Sequence, residues 1–188
     1  MKKTAIVAAA AVLCSGAAMA QQVSIYGIVD AGVAHTTNAN AAGDSVTKMP
    51  SLTASVPSRI GFRGAEDLGN GLKANFALET GFAPDTGTLG QGNRLFGRQA
   101  WVGLKGEYGQ LMLGRQNNMT FVSIAKADVM GPNIFSISSL DSYLPNARSD
   151  NAVGYLGTFS ALTVGATYSL GRDTSAAGGP GATGCAGE

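Results

Sequence analysis

The residues with chemistry to offer are basic and fixed in charge. Arg59, Arg63, Arg98, Arg115 and Arg148 lie in or beside segments that read as β-strands, and Asp128 and Asp141 lie in a long stretch without periodicity. A guanidinium stays protonated and presents a planar fork of donors, so it attracts and orients anions but does not serve as a proton shuttle or nucleophile. Arginines on adjacent strands of a lumen would line one wall and set the local field, with Asp128 and Asp141 as the opposing wall. On a soluble protein the same arginines would form a solvated sheet face. Cross-strand pairs such as Arg59 with Glu79 would then each contribute about 0.2–1 kcal/mol, and the two aspartates would be ordinary loop acids. What bathes each face decides between these readings.

No catalytic set accompanies the arginines. The chain has no Gly-x-Ser-x-Gly elbow, and its sole histidine, His35, reads as a surface residue at a strand end with no nucleophile in view. No Cys/His cluster has metal-ligand spacing, and Arg94-Leu-Phe-Gly-Arg98 is not a phosphate loop. The reading is no enzyme, no cofactor and no metal.

The elements that must position the arginines begin with Ser58 to Phe82, SRIGFRGAEDLGNGLKANFALETGF. Ile60, Phe62 and Gly64 alternate with Arg59, Gly61 and Arg63. Beyond the turn, Leu72, Ala74, Phe76 and Leu78 alternate with Lys73, Asn75, Ala77 and Glu79. A period of two predicts a hairpin with one apolar and one polar face. A turn centred on Gly69 predicts Phe62 opposite Phe76, Ile60 opposite Leu78, Arg59 opposite Glu79 and Arg63 opposite Asn75.

Other strands are expected at Val23–Val33, Arg94–Leu104, Gln110–Arg115, Asp150–Leu156 and Leu162–Arg172, making seven. The first, at about eleven residues, has the length of a membrane strand. If Arg98 faces a lumen within its strand, Ala100, Val102 and Leu104 share its face and Trp101 points away. Leu111 and Leu113 share the parity of Arg115 unless a bulge intervenes, and the pattern leaves that open. Tight turns near Gly69, Glu107 and Thr158 alternate with long loops, including Asn117–Ala147, the asymmetric layout of outer-membrane barrels.

Composition agrees. Charged residues make up 13% of the 188, about half the roughly 25% of a soluble domain, and glycines number 27. Residues 1–20 read as a signal peptide: Lys2 and Lys3, an apolar run from Ala5 to Cys14 too short to span a bilayer as a helix, and Ala18-Met19-Ala20 for cleavage. The alternative is an uncleaved anchor. Losing Lys2 and Lys3 leaves eleven basic against twelve acidic residues, a balance that excludes global attraction to nucleic acid. Cys185 then has no partner in the chain; it pairs elsewhere or is a free thiol.

VSIYGIVDAGV at Val23–Val33, the hairpin sequence above, RQAWVGL with GQLMLGRQ, and RSDNAVGY resemble, in order, Gram-negative general porins of the β-proteobacterial type. The likeness spans nearly all of Gln21 to Arg172. It implies an all-β, antiparallel transmembrane barrel of sixteen strands, usually trimeric, for passive diffusion of small hydrophilic solutes and ions. It places Arg59 and Arg115 among constriction arginines, with Arg63, Arg98 and Arg148 as further lumen residues. Residues 117–147 become a constriction loop bearing Asp128 and Asp141, and 83–93 a loop reaching a neighbouring subunit. Residues 21–188 would be the N-terminal portion of the barrel, with 173–188 a truncated outer loop. Gly154 stands where relatives often carry a basic side chain.

The expectation is therefore an outer-membrane porin, set in lipid, homotrimeric when full length, with weak anion preference. The alternative is a secreted β-sandwich adhesin or binding module.

Overall fold

The computed structural model describes residues 22–49, 56–131 and 147–171. The expected signal peptide, Asp141, residues 132–146 of the long loop, and the 173–188 tail with Cys185 lie outside the described residues. Seven strands form one antiparallel meander: β1 (Gln22–Ile28), β4 (Arg59–Gly69), β5 (Leu72–Gly81), β6 (Gln99–Gly106), β7 (Gly109–Asn117), β8 (Arg148–Phe159) and β9 (Leu162–Ser169). β2 (Ala34–Thr36) and β3 (Val46–Lys48) pair as a separate two-stranded ribbon, and the one helix among the described residues, α1 (Met119–Ala127), follows β7.

Each expected strand is present, with shifted bounds. β1 stops at Ile28 rather than running to Val33. Its ladder with β4 ends at Ile28 opposite Arg59; two positions on in register, Asp30 would face Pro57, which has no N–H to give. Ser58 takes over there: its Oγ accepts from Asp30 N at 2.9 Å and donates to Asp30 O at 3.0 Å. His35 sits in β2, exposed, with Nδ1 2.8 Å from Thr47 Oγ1. β6 begins at Gln99, so Arg94–Arg98 belong to the preceding loop.

The β4–β5 register differs from the expected one by two residues. Phe62 faces Leu78, Ile60 faces Thr80, Arg59 faces Gly81 and Arg63 faces Ala77. The turn is on Asn70-Gly71, both at positive φ (52° and 78°), the backbone that suits the twist of a two-residue hairpin. That turn alone would shift the pairing by three; a bulge between Asp67 and Gly69, closed by Gly69 N donating to Asp67 Oδ1 at 2.8 Å, takes one residue back. A slip of two preserves each side chain's face, so the apolar and polar faces stay as expected.

Those faces run across the whole sheet. Val23, Ile25, Ile60, Phe62, Phe76, Leu78, Val102, Leu104, Leu111, Leu113, Val153, Val164 and Tyr168 share the apolar side by register. Ala100, Val102 and Leu104 are therefore on the apolar side and Trp101 on the polar one, the reverse of the parity drawn from Arg98. That inference assumed Arg98 lay in the strand.

Burial is inverted relative to a water-soluble sheet. On the apolar side Ile25 is 70% exposed, Val102 56% and Tyr168 58%. On the other side Glu79 is 4% exposed, and Gln116 and Ser149 1% each. Water would select the opposite arrangement. Hydrocarbon outside and a polar interior would select this one.

The long connection after β7 opens with α1. Asn118 caps it, accepting from Thr120 N at 3.0 Å, and nine residues without a clean apolar stripe explain why the sequence pattern does not announce it. α1 lies on the polar side: Met119 N donates to Thr167 Oγ1 at 3.0 Å, and the Met119 side chain covers Gly165 of β9.

Candidate functional site

The polar face carries its charges at the end of the sheet with the long connections, opposite the tight turns. Two carboxylates organise them. Glu79 of β5 accepts from Arg98 Nε at 2.6 Å and from the Tyr26 hydroxyl at 2.9 Å, with Arg59 Nε 4.0 Å away. Asp150 of β8 accepts from Arg94 Nη1 at 2.9 Å and from Arg115 Nη1 at 2.5 Å. Both acids are largely buried, Glu79 the more so. An ion pair closed off from bulk water is held firmly, because removing one partner strands the other.

The end of loop 82–98 and the start of β8 hold Arg115 between them. Between Gly114 and Gln116 the β7–β8 register shifts by one residue. Gly114 has φ +124°, and a Cβ there would lie 2.3 Å from Ala100 O, so the position is restricted to glycine. Against β6, Arg115 keeps the register of Leu111 and Leu113, opposite Ala100; its Nε donates to Gly97 O at 2.7 Å while Nη1 reaches Asp150.

The expected residues are distributed as follows. Arg59, Arg98, Arg115 and Arg148 converge at the end of the sheet with the long connections. Arg59 also donates to Pro57 O at 3.2 Å. Arg148 opens β8, is largely buried, and lies within electrostatic reach of Arg98 and Arg115; its Nε has no hydrogen-bond partner among the described residues. Arg63 sits one row toward the tight turns, exposed, its guanidinium 5.2 Å from the centre of the Tyr26 ring. Asp128 ends α1: its backbone N donates to Ile124 O and its carboxylate accepts from Met130 N. Asp141 is outside the described residues.

Glu79, Asp150, Arg94 and Tyr26 are site residues that sequence reasoning misses; alternation offers Glu79 only as a cross-strand partner of Arg59. The signal for Glu79 was its polar-face parity with Lys73, Asn75 and Ala77. For Asp150 and Arg94 the signal was absent, because a pair separated by 56 positions forms only when loop 82–98 folds over the β7–β8 end. Gly154 is a necessity of packing: Gln116 Oε1 occupies the space a Cβ would need, 1.9 Å from its position. Among the described residues no group of three His, Cys, Asp or Glu is gathered for a metal ion.

An apolar outer surface, a polar interior and a wall of arginines is the physical outline of a membrane channel, and the family comparison agrees. The pattern described as Gram-negative porin matches residues 5–186. This chain belongs to the Gram-negative porin family. It is 37% identical over 186 residues to an outer membrane porin protein of Bordetella pertussis, covering 90% of this chain and 48% of that one. It is 36% identical to outer membrane porin protein 32 of Delftia acidovorans, covering 92% and 54%. Among solved structures it is similar to an anion-selective porin from Comamonas acidovorans, with TM-score 0.68, 31% identity, and 80% and 47% of the two chains covered. The outer membrane protein OmpT of Vibrio cholerae, in a trimer form, shares the fold at TM-score 0.57 and 18% identity, over 80% and 41% of the chains. The chain spans about half the length of the curated relatives it matches. As a porin of this family it is a protein of the outer membrane, and its seven strands are an antiparallel segment of a porin β-barrel.

Proposed function

We propose that the protein, in its full-length form, is a water-filled channel for passive diffusion of small hydrophilic solutes and ions, with weak anion preference. The observation that carries this reading is the inverted burial of the sheet. Ile25, Val102 and Tyr168 project outward, while Glu79, Gln116 and Ser149 are enclosed with the arginines. In the proposed assembly the apolar side meets lipid and further strands, sixteen in all, close the barrel, since an open edge has no place in hydrocarbon. Three such barrels form the homotrimer.

The mechanism needs neither catalysis nor a cofactor. Arg59, Arg98, Arg115 and Arg148 form the basic wall of the constriction, with Arg63 just below it. Glu79 and Asp150 hold the basic wall in place. Residues 117–147 fold inward, as α1 begins to do, and bring Asp128 and Asp141 toward the arginines. The field between the walls orients dipolar solutes, and the surplus of guanidinium over carboxylate favours anions. That the solved Comamonas acidovorans porin is named anion-selective supports this sign of preference.

The test is single-channel recording of the full-length protein in planar bilayers under a potassium chloride gradient. Discrete conductance steps with a reversal potential displaced toward chloride are expected. Absence of steps would overturn the channel, and displacement toward potassium would overturn the anion preference.

A further inference from the structure

One row of the polar face has no part in the constriction. It runs across four neighbouring strands: Ser24 of β1 faces Arg63 of β4, Arg63 faces Ala77 of β5, and Ala77 faces Trp101 of β6. Strands lie about 4.8 Å apart, so Arg63 and Trp101 spring from points roughly 10 Å apart with only a methyl group between them. Together with Tyr26 and Gln99 they line an open cleft of about 440 Å³, within the size range of small-molecule sites.

The side chains are already fixed. The Tyr26 hydroxyl is committed to Glu79 at 2.9 Å, and Trp101 Nε1 donates to Gln99 Oε1 at 2.8 Å. With their polar atoms occupied, both aromatics offer ring surface to the cleft rather than hydrogen bonds. Arg63 leans onto the Tyr26 ring, away from Trp101, which keeps the gap open. It has no carboxylate partner among the described residues, unlike Arg94, Arg98 and Arg115. A guanidinium without a carboxylate partner and an indole two strands along the same row form a recognition pattern for a flat anion: carboxylate on the fork, ring on the indole. Pre-fixed groups reduce the ordering cost of binding.

We propose that Ser24, Arg63, Ala77 and Trp101 form a binding subsite for single-ring aromatic carboxylates, on the tight-turn side of the constriction. The subsite deepens the channel reading by naming a solute class, and it rests on that reading for its place in a pathway.

Trp101 is the sole tryptophan of the chain, so its fluorescence reports occupancy without any transport measurement. Full-length protein folded in detergent is titrated with 4-nitrobenzoate, a quenching aromatic carboxylate, and with the neutral 4-nitrobenzyl alcohol. The signal lost in Trp101→Phe isolates the contribution of Trp101. Saturable quenching by the acid and only linear quenching by the alcohol are expected, with Arg63→Gln weakening the acid about tenfold, the scale of one lost charged hydrogen bond. Equal behaviour of acid and alcohol overturns the subsite, as does an Arg63→Gln protein that binds like the parent. Should Arg63→Gln fail to fold, the two probes on the parent protein still decide. Conductance in planar bilayers separates the two readings. A conducting protein without saturable quenching loses only the subsite, and a saturable but non-conducting one loses only the channel.

Discussion

Arg98 donates to Glu79 at 2.6 Å, yet the two are not strand partners: the ladder sets Gly61 and Gln99 opposite Glu79. The contact exists because Arg98 N also donates to Glu79 O at 3.0 Å, docking the end of loop 82–98 onto the mouth of the sheet. A loop residue thereby becomes part of the charged wall, at a depth set by β5.

Glu79→Gln removes the charge that balances Arg98 while keeping the shape of the side chain. It is expected to raise anion preference, moving the reversal potential further toward chloride. It should also cost about 1–3 kcal/mol, since Arg98 is left buried against a neutral amide. The first effect is read in a salt-gradient bilayer and the second as a lower temperature of heat-induced unfolding on a gel. An unchanged reversal potential would mean that Glu79 does not face the ion path.

Asp150→Asn releases two arginines at once. Arg94, in loop 82–98, has Asp150 as a partner that crosses to β8, while Arg115 keeps its bond to Gly97 O. Loop 82–98 should loosen, and cleavage by trypsin within it should quicken relative to the parent. Equal cleavage rates would show that the loop is held by its own turns alone.

Gly114→Ala tests the bulge. With φ at +124° and Ala100 O occupying the site of a Cβ, a cost of about 1–3 kcal/mol is expected from backbone strain alone. If the strand shifts to relieve that strain, the contacts of Arg115 with Gly97 O and Asp150 are disturbed and folding yield in vesicles falls. A substitution that left both stability and folding yield unchanged would contradict the crowding at Gly114.

Val102→Arg and Ala65→Arg place the same charge on opposite faces of the sheet. In vesicles of the full-length protein the first should cost about 2–4 kcal/mol near the membrane centre, and the second far less. Equal costs would refute lipid contact at Val102.

The period of two was enough to separate Ile60, Phe62, Phe76 and Val164 from Arg59, Arg63 and Glu79. Side-chain direction in a strand depends on parity alone, and even a register slip of two residues left it intact. The motif order around those strands was likewise enough to suggest the family. Register was not legible, because it depends on where a turn closes and whether a residue is left unpaired. The Asn70-Gly71 turn and the bulge at Asp67 together set the β4–β5 pairs that alternation alone misplaced. α1 is too short and too evenly mixed to show a helical period. Nor could sequence separate which carboxylates serve the wall: Asp150 joins Arg94 across 56 residues and Glu79 joins Arg98 across 19. Such contacts are fixed only when loop and strand ends are packed together in three dimensions. The chain's own pattern thus determined which way each strand residue points, and tertiary structure decided which charges meet, because pointing is a local property of the backbone and meeting is not.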